Sequence, residues 1–211
     1  MMLCLNIVEN GNTHGELFRS MFACRYRNFM ERQNYDAYVL NEIAEYDRYD
    51  TPGTYYLVWL DERQVVRGTI RVNCMDKPTM LSEVFKDLVT FEELPTTDDC
   101  WEGTRICIDR ELSGELRSQI KNELVMGTIE FCMSKGGKFL YGMMQNAIFR
   151  YVYEKTGVQL TYLGATYEIG GQKCRVAKHP TNLTLLMSLR MITGIHRPIV
   201  SNLVSKELLV A

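Results

Sequence analysis

The chain has 211 residues and a formal net charge of −2, with 46% hydrophobic and 24% charged residues. That composition excludes a disordered or fibrous chain, and the near-neutral balance excludes the basic footprint of a nucleic-acid-binding domain. Seven Cys, an odd number with no C-x-x-C, and only three His argue against a disulfide framework, a zinc ribbon or any other metal site.

The length fits a single domain over residues 1–211. No apolar run approaches the ~18–20 residues that span a bilayer. Met1 to Asn6 has no basic n-region or long apolar stretch, so a cytoplasmic protein with no membrane and no nucleic-acid partner is expected. Phe18, Phe22, Arg25 and Phe29 recur at helical spacing and predict a helix over 14–33. Residues 55–60 read as a buried strand, 61–64 as a turn and 65–73 as its partner strand. A short helix is predicted at 81–87 and a strand at 101–109. Leu116, Ile120, Leu124 and Thr128 mark a helix that stops at Gly136-Gly137. A strand at 139–144 and a helix at 145–156, ended by Gly157, follow. Strands are predicted at 158–163 and 167–176, and a helix at 181–193 with Pro180 at its start. This order describes one mixed α/β (α+β) layer structure without repeats or linkers.

Charge is unevenly distributed. Residues 36–62 carry seven acids against Arg48 alone, and residues 171–211 carry six basic groups against Glu207 alone. No G-x-G-x-x-G, P-loop, H-E-x-x-H or G-x-S-x-G occurs, so nucleotide, zincin and esterase signals are missing. What stands out is charge at positions that should be apolar. Arg25 shares a helical face with three Phe; it either snorkels to the rim or pairs with a carboxylate. Glu45, Asp47 and Asp50 form E-x-D-x-x-D, which is either a solvated loop or a cluster neutralised by cations. Arg71 sits on a strand. Glu102 and Arg105 face opposite sides of a regular strand, and reach one pocket only if it bulges, which Gly103 would permit. Each of these, taken alone, is as well read as a cross-strand salt bridge.

Their order is more specific. Arg25 with Phe29, the acidic triplet, Gly68 with Arg71, then Met80-Leu81 with Phe85, then Trp101-Glu102 with Arg105 resemble the acyl-homoserine-lactone synthases, the bacterial autoinducer synthases. The resemblance covers roughly residues 15–165. It departs where Tyr35 stands for a usual Trp, Cys74 for a Pro, Thr104 for a Ser and Ile106 for an aromatic residue.

The resemblance implies a twisted mixed sheet flanked by helices, as in GNAT-type N-acetyltransferases. It implies transfer of an acyl group from a thioester carrier to the amine of S-adenosylmethionine, then lactone closure and release of methylthioadenosine. S-adenosylmethionine is a substrate there, and no cofactor is implied. Arg25, Phe29, Tyr35, Asp47, Asp50, Arg71 and Arg105 would form its site, with Phe29 and Tyr35 offering π-faces to the sulfonium and an arginine fork holding the carboxylate. Glu102, Asp47 and Arg105 are the candidate catalytic residues, Glu102 as general base. Val125, Thr128, Gly142, Met144, Ile148, Tyr151 and Val152 would line the acyl pocket. Gly142 stands where members that make 3-oxo products commonly have Thr, which implies an acyl group unsubstituted at its third carbon. The carrier is an acyl carrier protein or coenzyme A; the lack of a Gly-rich phosphate cradle leans toward the protein. The alternative is a GNAT-type N-acyltransferase acting on another amine with acyl-coenzyme A, and a third class is a non-catalytic binding protein of this fold.

Overall fold

The computed structural model describes residues 1–33, 39–40 and 44–202. Strand β1 (Met2–Asn6) opens the chain. The Asn6 side chain then caps the single turn α1 (Ile7–Asn10), accepting from the Val8 and Glu9 amides. Helix α2 (Gly15–Gln33) follows, then a two-stranded ribbon of β2 (Val39–Leu40) and β3 (Ala44–Glu45). Strands β4 (Tyr55–Leu60) and β5 (Val66–Cys74) form a hairpin, and α3 (Met80–Val84) starts at a Thr79–Ser82 capping box. Strand β6 (Cys100–Ile108), helix α4 (Gly114–Ser134) and strand β7 (Phe139–Gln145) come next. A one-turn α5 (Asn146–Ile148) leads into a π-turn over Phe149–Tyr153. The last elements are β8 (Thr161–Tyr162), β9 (Tyr167–Ile169), β10 (Gln172–Pro180) and α6 (Leu183–Thr193).

The main sheet runs β1-β4-β5-β6-β7-β10-β8, with β9 paired to β10. Every pairing is antiparallel except β6 with β7, so the expected mixed sheet is present. Helix α4, buried from Ile120 to Cys132, packs on one face against Leu57, Ile70, Val72, Trp101 and Leu140. On the other face, α2 packs Phe18, Met21 and Cys24 on Tyr56, Val58, Leu60 and Cys107. Leu81 and Leu163 cover Tyr141 and Val176 on that same side. The result is helices on both faces of one sheet.

One topological detail creates the site. The parallel β6–β7 pairing ends at Glu102 opposite Tyr141, although β6 continues to Ile108 and β7 to Gln145. Beyond that pair the strands splay, and a cleft opens through the sheet.

Several predicted elements differ. β1 went unread in the sequence because its five residues lie between the chain start and a polar turn. Residues 167–176 are not one strand: Gly170 and Gly171, at φ +55° and +72°, turn the chain into the β9–β10 hairpin. Pro180 ends β10 and does not start a helix; Asn182 caps α6 instead, accepting from the Leu185 amide. The helix predicted at 145–156 is one α-turn, a π-turn and a 3₁₀ turn.

Candidate active site

Arg25 sits on α2 with its side chain fully buried, so it does not snorkel. Its Nε donates to Glu45 at 2.6 Å, and its two terminal nitrogens donate to the two oxygens of Asp50 at 2.7 and 2.9 Å. Arg71, from β5, donates from Nε to Thr104 Oγ1 at 2.9 Å and from Nη1 to Asp47, with Asp50 3.2 Å away. Arg105, from β6, donates from Nε to Glu45 at 3.0 Å and from Nη2 to Asp47 at 2.7 Å. Three guanidinium groups and three carboxylates thus form one formally neutral network, an economical way to bury six charges, with Arg71 Nη2 left buried and without a partner among the described residues. Tyr56 adds a hydroxyl donated to Asp50 at 2.9 Å.

Burial works against the Arg25 charge, but Asp50 and Glu45 outweigh it and raise its pKa. Burial likewise pushes the Asp50 carboxyl up, and Arg25 and Arg71 overcome this to hold it well below the usual carboxylate range. Asp50, Arg25 and Arg71 therefore lie behind the site surface. Asp47 and Arg105, at 11% and 16% side-chain exposure, are the members that solvent reaches.

Arg105 owes its place to a bulge. Between Thr69 opposite Cys107 and Arg71 opposite Thr104, β6 carries one residue more than β5. The left-handed residue is Arg105 itself, at φ +54°. Gly103, expected to be the hinge, keeps regular register opposite Val72. A non-glycine residue in this region costs ~1–2 kcal/mol, and the ion pairs to Glu45 and Asp47 hold it there.

Glu102 is also buried, on β6 at the last residue before the splay. Its Oε1 accepts from the Leu81 amide at the start of α3 at 2.9 Å, and its Oε2 has no partner among the described residues. Burial raises its pKa above the ordinary Glu value, with Thr79 and Arg71 partly offsetting it. A fixed carboxylate with a free oxygen and a raised pKa is a stronger proton acceptor than an ordinary Glu.

Glu102, Thr104 and Arg105 line a cleft of about 140 Å³ whose other walls are Phe29, Met80, Phe85, Met143, Met144 and Ile148. The Arg105 guanidinium lies 5.6 Å from the centre of the Phe29 ring. A second cleft of about 270 Å³ shares Phe29, Ile106 and Ile148, and runs past Tyr151 and Val152 to Arg110 and Arg117. The buried Arg117 Nε has no partner among the described residues. Lys121 and Lys155 lie 5.2 and 5.8 Å from the centre of the Tyr151 ring.

The structure thus brings Arg25, Phe29, Asp47, Asp50, Arg71, Glu102 and Arg105 to one end of the splay. Tyr35 lies outside the described residues. Of the residues expected around an acyl pocket, Met144 and Ile148 line the first cleft, and Tyr151 and Val152 the second. Gly142 borders a smaller void beneath them. Val125 and Thr128 are placed differently. Both are core residues of α4, with the Thr128 hydroxyl bonded back to the Leu124 carbonyl, and neither lines these cavities. Their place in an acyl pocket is what the family resemblance implies. Glu45 was recognised in the triplet but left out of the site; its two-residue offset from Asp47 puts both on one side of extended chain. Met80 and Thr104 stand within the motif series without a role assigned to them, and Met143 carried no sequence signal. Among the described residues, no cluster of three or more His, Cys, Asp or Glu is arranged to hold a metal, and no helix is long and apolar enough to cross a membrane.

The profile of the autoinducer synthase family matches residues 10–184. An isovaleryl-homoserine lactone synthase of Bradyrhizobium diazoefficiens is 30% identical over 128 residues, 60% of this chain and 56% of that protein. An acyl-homoserine-lactone synthase of Aeromonas hydrophila is 26% identical over 152 residues, 71% of this chain and 72% of that protein. Among solved structures, a CoA-dependent acyl-homoserine lactone synthase with SAM and isopentyl-CoA superimposes with a TM-score of 0.84 at 25% identity, covering 95% of this chain and 92% of that one. An N-acetyltransferase structure from Lactobacillus plantarum shares the fold, at a TM-score of 0.57 and 16% identity over 85% of this chain and 99% of that one.

Proposed function

Since the chain belongs to the autoinducer synthase family, we propose that it makes an acyl-homoserine lactone for quorum sensing from S-adenosylmethionine and an acyl thioester. The observation that carries this reading is the splay between β6 and β7, with a partnerless, buried carboxylate oxygen at its apex and a neutral arginine–carboxylate network on one wall.

The amine of S-adenosylmethionine loses a proton to Glu102 and attacks the thioester carbonyl. A C–N bond forms, the C–S bond breaks, and the carrier leaves as a thiol. The methionine carboxylate then attacks its own γ-carbon, closing the lactone as methylthioadenosine departs, so the sulfonium and carboxylate charges cancel. Asp47, Arg105 and Phe29 form the face that meets S-adenosylmethionine. Arg25, Asp50 and Arg71 brace that face from behind. Because every carboxylate of the network is already paired, a bound ammonium must exchange with an existing ion pair, whereas a bound carboxylate can meet Arg71 Nη2, which is buried without a partner among the described residues. Arg105, the most exposed of the three arginines and held in a strained conformation, is the one that can turn. The apolar wall at Met144 and Ile148 takes the acyl group. Arg110 and Arg117 at the mouth of the second cleft fit the phosphate that coenzyme A and the prosthetic arm of an acyl carrier protein have in common. The whole chain works as one catalytic domain in the cytoplasm, where both substrates are made.

The test is a purified-enzyme assay with S-adenosylmethionine and matched acyl thioesters on either carrier, following methylthioadenosine and the acylated product by mass spectrometry. Lactone with stoichiometric methylthioadenosine supports the reading. Acylation of another amine without methylthioadenosine would replace it with the GNAT-type alternative.

A further inference from the structure

Beneath the first cleft lies a void of about 10 Å³ bordered by Gly142, Met144, Phe149, Tyr153, Ala177 and His179. Its origin is a register coincidence. Gly142 on β7 pairs with Ala177 on β10, so two adjoining positions on this sheet face carry almost no side chain. His179 is two residues beyond Ala177 and shares its face. Met144 lines both the cleft and the void, and its terminal methyl sits 3.3 Å from where a Cβ on Gly142 would lie. A flexible thioether therefore separates the two spaces.

The imidazole at the far end has a defined polarity. His179 Nδ1 is 2.9 Å from the Pro180 carbonyl oxygen, which can only accept, so Nδ1 carries the proton. The ring is buried, and burial lowers its pKa to about 4, so it is neutral. Nε2 is then a bare acceptor, and it is buried without a partner among the described residues. A buried acceptor without a partner calls for a donor.

We infer that the acyl pocket extends past Met144 over Gly142 and Ala177, and that His179 Nε2 selects an acyl group bearing a hydroxyl at the end remote from the thioester. This rests on the acyltransferase reading given above. A void of this size holds about one water-sized group, which matches a hydroxyl and no larger polar substituent. A keto oxygen there would face acceptor with acceptor, and a plain alkyl end would leave Nε2 unpaired.

The test compares kcat/KM for thioesters of equal chain length ending in methyl, in hydroxyl and in a ketone, on the intact enzyme and on His179→Phe, which keeps a flat ring against Tyr153 and removes the acceptor. The expected result is a preference for the hydroxyl substrate of about tenfold or more, lost in the Phe variant while KM for S-adenosylmethionine stays the same. Met144→Ala, which opens the passage without touching His179, serves if the Phe variant does not fold; it should raise turnover of the hydroxyl substrate more than that of the alkyl one. Lactone formation indifferent to the hydroxyl in the intact enzyme overturns the inference alone. Absence of lactone with every acyl thioester overturns the acyltransferase reading itself.

Discussion

The two walls of the cleft are built on opposite principles. The wall on α2, β3, β5 and β6 is polar and over-determined: each guanidinium of Arg25, Arg71 and Arg105 bonds more than one partner, and no carboxylate of the triplet is left unpaired. The wall on β7 and the turns after it is apolar and compliant, made of Met143, Met144 and Ile148, with small residues and a void behind it. Charge networks have discrete geometries and tolerate no loss of a member. Methionine-lined surfaces re-pack at little cost. The reacting end of a substrate needs the first property, and a variable acyl tail needs the second.

The sharpest way to break this contrast is to remove one charge from the rigid wall. Arg71→Ala leaves Asp47 and Asp50 without a shared counter-charge, and a destabilisation of about 3–5 kcal/mol is expected, read from urea unfolding. If the loss is below about 1 kcal/mol, the network is not what holds this wall. Glu102→Gln tests the apex between the walls. It should lower the rate of methylthioadenosine release by about 10²–10⁴ with no loss of stability.

Acid sharpens the contrast further, because Asp50 and Glu102 shift in opposite directions. The Asp50 carboxyl is depressed in the folded state, so its contribution is present above its ordinary value of 3.8 and lost as pH falls toward the folded value. Glu102 is raised, so folding favours its neutral form; that contribution is full below 4.5 and is lost as pH rises through the folded value. Asp50→Asn should therefore flatten the acid limb of the stability–pH curve, and Glu102→Gln should gain stability relative to the parent as pH rises. In activity, kcat/KM of the parent should rise with pH through a value above 4.5, and the Gln variant should lack that limb.

On the compliant wall, Met144→Leu conserves volume. It should cost less than about 1.5 kcal/mol and change the ranking of acyl chain lengths more than the maximal rate. Gly142→Ala should have the smallest effect, about 1 kcal/mol. The added methyl lies 3.1 Å from the Gly103 carbonyl oxygen and 3.3 Å from the Met144 terminus, and Met144 can yield. A larger loss would mean that the Gly103 carbonyl or Met144 does not give way and that this wall is stiffer than its composition implies.

The amino-acid sequence by itself determined the main helices, the hairpin of β4 and β5, and most members of the polar wall. Helical and strand periodicity are local, and a buried arginine on a phenylalanine-rich face is conspicuous because it demands a carboxylate. Motif order did the same for Arg71, Glu102 and Arg105. Only the tertiary structure decided how those charges pair, since Arg25 meets Asp50 and Arg105 meets Glu45 across 25 and 60 residues of chain. It also decided that the bulge falls on Arg105 and not on Gly103, because ion pairs there outweigh the intrinsic preference of glycine for positive φ. The compliant wall was the least legible. Whether a side chain on the buried face of α4 or β7 fills the core or borders a cavity depends on where β6 and β7 part and on which small residues come to lie opposite each other across β7 and β10.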